Sequence, residues 1–229
     1  MRVRHEQAIN LGSKIIEVHV GKNPQIIPVH KDLICENSKF FKTAMNGKWT
    51  ESKDRVVRLP DDRGDSFALY VQWLYTRVVP FGKPDPPEDA SQSGEYCLLA
   101  RTYVLADKLQ DIRFKNAILD AILERSTDPT TLPKGRFPGP FPIRIIYDGT
   151  TGPCAGRRAL VDLWLWNGTT QWVEKFDTVS FPADFLKDLV TALYKTRKRP
   201  DGVDPTRSKD KSCYHKDDKG IGSESPKRP

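Results

Sequence analysis

The stretch of sequence that decides the fold is residues 15–76, IIEVHVGKNPQIIPVHKDLICENSKFFKTAMNGKWTESKDRVVRLPDDRGDSFALYVQWLYT. After Ile15, its first residues alternate apolar and polar side chains, which predicts a half-buried strand. Turn residues follow, and the apolar run at 25–29 predicts a second strand that returns antiparallel to the first. Pro28 cannot donate a hydrogen bond to a neighbouring strand, so the second strand should lie at an edge or end there.

Short helices are predicted after this hairpin. Residues 31–37 suit one helix, and Ser38 can cap the next, in which two phenylalanines and an alanine recur at near-helical spacing. A short strand is predicted at 56–59. The helix that follows can be capped by Asp65 or Ser66. It carries an apolar stripe that should face the core: Phe67, Tyr70, Val71, Leu74 and Tyr75.

The middle of the chain predicts a helical hairpin and then a linker. The two helices should span 95–109 and 112–125, with Asp111 as a cap between them. Residues 126–142 are rich in proline and glycine and should form a linker or surface loop. The apolar run at 143–147 then predicts a short strand or an extended segment.

Residues 143–196 are otherwise predicted to be a helical carboxyl-terminal extension. A helix is expected at 158–167, with Gly168 as its stop, and a strongly amphipathic last helix should begin near Pro182. Apolar residues almost vanish after Arg197, so 197–229 should be a disordered basic tail.

The net charge of +7 belongs mainly to that tail. From Lys195 to Pro229 there are eleven Lys or Arg and six Asp or Glu, which gives 11 − 6 = +5. The preceding residues therefore carry only 7 − 5 = +2. A nearly neutral body is not typical of a fold that binds nucleic acid.

Cysteine usage and hydropathy predict an intracellular protein, cytoplasmic, nuclear or both. The four cysteines form no CxxC pair, which favours a reducing compartment over a disulfide framework. No run of about 18 apolar residues is present, so no membrane span is predicted. The first ten residues lack the apolar core of a signal peptide, which argues against secretion.

The order of the elements also carries a family resemblance. Val29-His30-Lys31 opens the first helix, Ser38-Lys-Phe-Phe41 forms the second, a short strand ends at Leu59, and a helix beginning near Phe67 closes on Leu-Tyr-Thr76. Together these features, in this order and spacing, resemble the BTB/POZ domain, a protein-interaction module.

The resemblance extends along the chain. The hairpin at 95–125, with its Tyr-Val-Leu-Ala-Asp-Lys at 103–108, is similar to the last two helices of that domain, so the match covers 14–125 after a lead at 1–13. The region beyond, including 145–147, 160–164 and 213–215, is similar to the carboxyl-terminal part of uncharacterised filamentous-fungal BTB proteins.

The resemblance implies an α+β fold, with a small β-sheet flanked by a cluster of α-helices, and a non-catalytic role as an interaction or scaffolding module. Members that recruit a cullin ubiquitin-ligase scaffold carry a hydrophobic, any residue, Glu pattern, whereas residues 67–69 read Phe-Ala-Leu. Leu69 therefore weakens the alternative of a cullin substrate adaptor. Homodimeric members exchange an amino-terminal helix and strand, and the lead has room for one helix at most, so a homodimer stays an open alternative.

A protein partner is expected on exposed edges and aromatic surfaces. An unpaired strand edge can accept a partner strand, and the side of the Phe67 helix away from the core should be accessible. Tryptophan is enriched where binding energy concentrates, although Trp164 falls on an inward stripe. The predicted interface residues are Gln25, Ile26, Ile27, Phe67, Leu69, Gln72, Trp166 and Trp172.

A basic cluster after the last helix suggests a nuclear address. Lys195, Arg197, Lys198 and Arg199 could be read by an import receptor or could simply be a solvated helix end. A chromatin-associated or nucleic-acid-binding factor that uses the basic tail is the second functional hypothesis. The tail has few aromatic residues, which disfavours direct sequence recognition.

No enzyme, cofactor or metal site is predicted. The sequence contains no Walker loop, HExxH, EF-hand or Ser-His-Asp pattern. His19 and His30 are interpreted as structural, and Cys213-Tyr-His215 offers too few ligands for a zinc site. An enzyme stays an alternative only if the region after Ser126 holds a pocket with convergent polar groups.

Overall fold

The computed structural model describes residues 11–47, 50–80, 94–127, 137–175 and 181–197. The chain divides into two units, Met1–Lys195 and Thr196–Pro229, and the packing described below is that of the first. The described residues form the mixed α+β fold that the sequence predicts. The strands are β1 (Ile15–Val20), β2 (Gln25–His30) and β3 (Val56–Leu59). The helices are α1 (Lys31–Asn37), α2 (Lys39–Ala44), α3 (Thr50–Asp54), α4 (Gly64–Thr76), α5 (Glu95–Leu109), α6 (Ile112–Thr127), α7 (Pro140–Gly149), α8 (Ala155–Asn167), α9 (Thr170–Lys175) and α10 (Ala183–Thr196).

The described strands form one sheet in the order β2-β1-β3. β1 pairs antiparallel with β2 and parallel with β3. The inner face of β1 carries Ile16, Val18 and Val20, all almost fully buried, whereas Glu17 faces solvent. This alternation is what the sequence predicts for a half-buried strand. The expected edge position of Pro28 is also confirmed, because β2 lies at the end of the sheet and, among the described strands, pairs only with β1.

Two predicted helix caps are confirmed, and one of them ties distant segments together. The Ser38 hydroxyl accepts a hydrogen bond from the Phe41 backbone N–H at 3.2 Å and donates one to the Leu109 carbonyl at 2.6 Å. At the start of α6, the Asp111 carboxylate accepts from the Phe114 backbone N–H at 2.9 Å. Because Ser38 is almost completely buried, its hydroxyl satisfies two backbone groups that water does not reach.

Asp111 also belongs to a buried polar pair. The Tyr70 hydroxyl donates a hydrogen bond to its carboxylate at 3.1 Å. Burial raises the pKa of the Asp111 carboxyl, even though the Phe114 N–H and the Tyr70 hydroxyl favour its charged form. Burial and the neighbouring carboxylate likewise raise the pKa of Tyr70 well above its ordinary range, so this phenol stays protonated.

The prediction that Asp65 or Ser66 caps α4 is wrong, because the helix begins at Gly64 and both residues lie inside its first turn. The Asp65 carboxylate binds the Arg63 guanidinium at 3.1 and 3.2 Å, and Arg63 stands at the cap position. The buried side of the helix carries aromatic rings that contact α6, with the rings of Tyr70 and Trp73 lying 4.8 and 5.1 Å from that of Phe114. These contacts join α4 to the helical hairpin.

The strand or extended segment predicted at 143–147 is wrong: these residues lie within helix α7. Ile143 and Ile146 are buried at a spacing of three residues, which suits a helix face and not an alternating strand. Pro140 occupies the first turn, where its missing N–H costs no helical hydrogen bond. The helix packs against α5, so part of the predicted extension shares the main core.

The last described helices belong to the same buried cluster as the sheet. Gly168 ends α8, as predicted, with its N–H donating to the Trp164 carbonyl at 2.8 Å. Trp164 is buried, as its position on the inward stripe predicted, and its indole N–H donates to the Pro138 carbonyl at 3.0 Å. Phe185 anchors α10 and is completely buried.

Several predicted segments lie outside the described residues. They are most of the lead (1–10), most of the loop between α4 and α5 (81–93), the middle of the predicted linker (128–136), and the tail from 198 onward with Cys213 and His215.

Candidate protein interface

The free edge of β2 is the first candidate surface, and its hydrogen bonds fix which backbone groups point outward. The Lys31 N–H donates to the Lys14 carbonyl at 2.8 Å, which continues the β1–β2 ladder. In an antiparallel pair, bonded and non-bonded positions alternate along each strand. Residues 25, 27 and 29 therefore turn their backbone groups toward β1, while residues 26, 28 and 30 turn theirs away.

Two of these three outward positions cannot donate to a partner strand. Pro28 has no N–H. The His30 N–H donates to the Tyr75 hydroxyl at 3.2 Å, and the same hydroxyl lies 2.7 Å from His30 Nδ1. A hydroxyl has one donor and two acceptor sites, so it can accept from the N–H while it donates to a neutral ring nitrogen. Ile26 is the one outward position that keeps both backbone groups for a partner, so strand addition along β2 is not supported.

Helix α4 runs beside β2 along the whole strand. At one end, Gln25 Oε1 occupies the place where a Cβ on Gly64 would stand, and at the other end Tyr75 contacts His30. The eleven residue steps from Gly64 to Tyr75 and the five from Gln25 to His30 each span about 16 Å, so the two contacts match in length along the helix and the strand. An open cleft of about 510 Å³ lies at the Gln25 end. We call the exposed side chains of β2 and α4 the α4–β2 surface; they are Gln25, Ile26, Pro28, Ala68, Gln72 and Thr76.

Five of the eight predicted interface residues are not on this surface: Ile27, Phe67, Leu69, Trp166 and Trp172. The prediction of Phe67 and Leu69 as interface residues is wrong, because they are 0% and 7% exposed. Phe67 instead faces the core, as its position on the apolar stripe predicted. The physical reason is that α1, α5 and β2 all pack on α4, so the helix buries a wider sector than one stripe. Ala68 is exposed in their place. Ile26 is 56% exposed, Gln25 and Gln72 are exposed, and Ile27 is half-buried.

The two predicted tryptophans separate in the structure. Trp166 is 81% exposed on α8. Trp172 does not join it as an exposed platform, because its ring packs 5.3 Å from that of Trp164 and 5.1 Å from that of Phe137. Trp172 is therefore half-buried and closes the side of the core.

Among the described residues after Ser126, a cluster of polar groups lies around Cys154 at the start of α8, where Tyr103 of α5 joins it. The Tyr103 hydroxyl accepts from the Gly156 N–H at 2.9 Å and lies 3.9 Å from the Cys154 sulfur. Burial opposes ionisation of this thiol, but the Arg157 N–H and the hydroxyls of Thr150 and Tyr103 outweigh it and lower the Cys154 pKa.

The neighbours of Cys154 also have structural roles. The Arg157 guanidinium donates to the carbonyls of Tyr147 at 2.7 Å and of Thr150, which satisfies the end of α7. The Tyr103 hydroxyl does the same for an N–H at the start of α8. The cluster therefore joins α5, α7 and α8, and its polar groups form hydrogen bonds with one another and with the ends of these helices.

The predicted histidines have local partners. His19 Nε2 lies 3.1 Å from the Glu17 carboxylate on the open face of the sheet. Within the described ranges, no three His, Cys, Asp or Glu side chains converge as a metal site would require. Of the basic cluster, Lys195 and Arg197 are exposed, whereas Lys198 and Arg199 lie outside the described residues.

Comparison with known protein families identifies no match, because no family model fits this chain. Among the helices that the structure describes, none has the length and apolar character needed to cross a membrane. Sequence reasoning missed Ala68 as part of the α4–β2 surface and Tyr75 as the residue that occupies the His30 N–H at the strand edge. No local signal could have found the contact of Tyr75 with His30, which lies 45 residues away in the sequence.

Proposed function

We propose that this chain is a non-catalytic protein–protein interaction module of the BTB/POZ type, and that its partner binds the α4–β2 surface. The observation that carries the proposal is the 56% exposure of Ile26 on a strand that α4 flanks from end to end. A rigid strand and helix that present apolar and amide side chains together suit a docking surface.

The order of elements supports the family assignment within this proposal. A strand pair is followed by three short helices, a third strand, a long helix and a helical hairpin. Apart from α3, this is the succession that the resemblance implied from the motifs at 29–31, 38–41 and 67–76. A small sheet with helices packed on one face agrees with it as well.

Binding would use side chains more than strand addition. Pro28 and the occupied N–H of His30 leave β2 with little donor capacity along its free edge. A partner would instead cover Ile26 and reach the exposed amide of Gln72. Natural edge strands are often protected in this way, which prevents uncontrolled pairing while leaving side chains available.

The cullin-adaptor alternative loses further support. Leu69 stands where those family members have Glu, and it is buried against the core instead of facing a partner. The chromatin or nucleic-acid alternative depends on residues beyond Arg197, which lie outside the described ranges, and it stays a prediction.

The test compares partners of the tagged wild-type chain with those of Ile26→Asp and Gln72→Arg variants by quantitative mass spectrometry. Burying the exposed part of an isoleucine is worth about 1–2 kcal/mol, so Ile26→Asp should weaken a partner by roughly 5–30-fold. A Lys187→Glu variant alters an exposed charge on α10 and is the control. A partner set that is identical for all four chains would contradict the proposed surface.

A further inference from the structure

A second exposed apolar site lies between α6 and α8, away from the α4–β2 surface. A groove of about 250 Å³ has Ala159 and Leu163 in its floor, with Leu123 on the α6 side and Trp166 on the α8 side. Leu123 is 37% exposed and Trp166 is 81% exposed. Tryptophan is among the residues that contribute most when an interface covers them, and its exposed indole forms one wall of this groove.

One carboxylate lines the groove, and two more flank Leu123 on α6. Asp162 lines it directly, and Asp120 lies one turn before Leu123 on α6, with Glu124 next to Leu123 in sequence. All three are exposed, and none forms an ion pair within the part of the chain that the structure describes. Arg158, one turn before Asp162, is also exposed and does not pair with it. Among these four described charges the sum is 1 − 3 = −2, whereas the whole chain carries +7.

We propose that this groove docks a basic amphipathic segment of a partner protein. An apolar side chain would enter between Leu123 and Trp166, while a Lys or Arg would lie on the Trp166 indole within reach of Asp162. The indole face and the neighbouring carboxylate both attract a cation, so both favour a ligand that carries Lys or Arg. A second copy of the chain fits less well, because a two-fold contact centred here would bring each Asp162 toward its symmetry mate.

The test measures fluorescence anisotropy of a labelled short peptide of leucine and lysine at helical spacing. Trp166→Ala should weaken binding at least about tenfold, and Asp162→Asn about threefold with a smaller salt dependence. Val78→Ala removes part of a side chain that is 57% exposed elsewhere and should change nothing. A peptide with glutamate in place of lysine should bind at least about tenfold more weakly than the lysine peptide.

The outcomes separate this groove from the α4–β2 surface. Ile26→Asp should leave peptide binding intact, so failure of one proposal does not carry over to the other. Circular dichroism checks that Trp166→Ala is folded, and Leu123→Ser gives a second lesion in the same groove. Equal affinity for the lysine and glutamate peptides, or no loss with Trp166→Ala and Leu123→Ser, would overturn the proposal. A dimer in light scattering that Trp166→Ala abolishes would place a second copy in the groove and would also overturn it.

Discussion

Replacing Tyr75 with phenylalanine tests how the free edge of β2 is closed. The change keeps the ring, which packs edge-on with His30 at a centroid distance of 5.8 Å, and removes only the hydroxyl. That hydroxyl accepts from the His30 N–H at 3.2 Å and lies 2.7 Å from Nδ1. Each such bond contributes about 0.5–1.5 kcal/mol net, and the site is only partly buried, so the variant should lose about 1–2 kcal/mol of unfolding free energy.

Hydrogen exchange gives the more specific readout for this variant. A loss of 1–2 kcal/mol at one amide corresponds to roughly 5–30-fold faster exchange of the His30 N–H. The Val29 N–H, which faces β1, should keep its protection.

Tyr147→Phe is the matched control, because it removes a hydroxyl that donates to Asp188 at 2.9 Å, far from β2. It should cost a similar unfolding free energy in urea and leave His30 exchange unchanged. If Tyr75→Phe leaves both the exchange rate of the His30 N–H and the unfolding free energy unchanged, the Tyr75 hydroxyl does not close the free edge of β2.

Three further predictions concern the core and the thiols. Ser38→Ala removes a cap and leaves the buried Leu109 carbonyl without its partner, so the unfolding free energy measured in urea should fall by about 2–3 kcal/mol. The exposed Thr43→Ala is the control and should lose less than about 0.5 kcal/mol. Equal losses in the two variants would contradict the role of the buried hydroxyl. Iodoacetamide labelling, mapped by mass spectrometry, should modify Cys154 before Cys35, because the pKa of Cys154 is lowered and burial raises that of Cys35. Labelling in the reverse order would contradict this prediction. Burial raises the pKa of Asp111, so this carboxyl holds a proton more tightly in the folded protein than in the unfolded chain. The unfolding free energy of the wild type, measured relative to that of Asp111→Asn, should therefore fall as pH rises from about 4 through the raised pKa. A difference between the two proteins that does not change with pH would contradict this prediction.

Local chemistry was enough to predict most elements in the first half of the chain. α1 has the predicted bounds, and β1 lies where the alternation after Ile15 predicted a strand. Ser38 and Asp111 were recognisable as caps because their side chains act on backbone groups three residues away. Such signals need no knowledge of the rest of the fold.

Tertiary packing decided what the sequence could not. The apolar run at 143–147 fits a strand or a helix, and the contact with α5 selects the helix. Leu69 was expected to be exposed, but it is buried. The width of the buried sector on α4 depends on how many elements pack against the helix, and the sequence of the helix does not show that number. Trp172 turned inward because Trp164 and Phe137 offer it aromatic contacts. The groove beside Trp166 brings together α6 and α8, whose residues Leu123 and Asp162 have no relation in sequence.

Hydroxyl-radical footprinting of the chain, alone and with the partner that the Ile26→Asp comparison identifies, is the most direct test of the proposed interface. Ile112 is the matched internal control, since it is 66% exposed on α6 and Ile26 is 56% exposed on β2. Binding at the α4–β2 surface predicts that oxidation of Ile26 and Pro28 falls several-fold in the complex while oxidation of Ile112 is unchanged. Oxidation of Ile26 that is the same with and without partner would contradict the account.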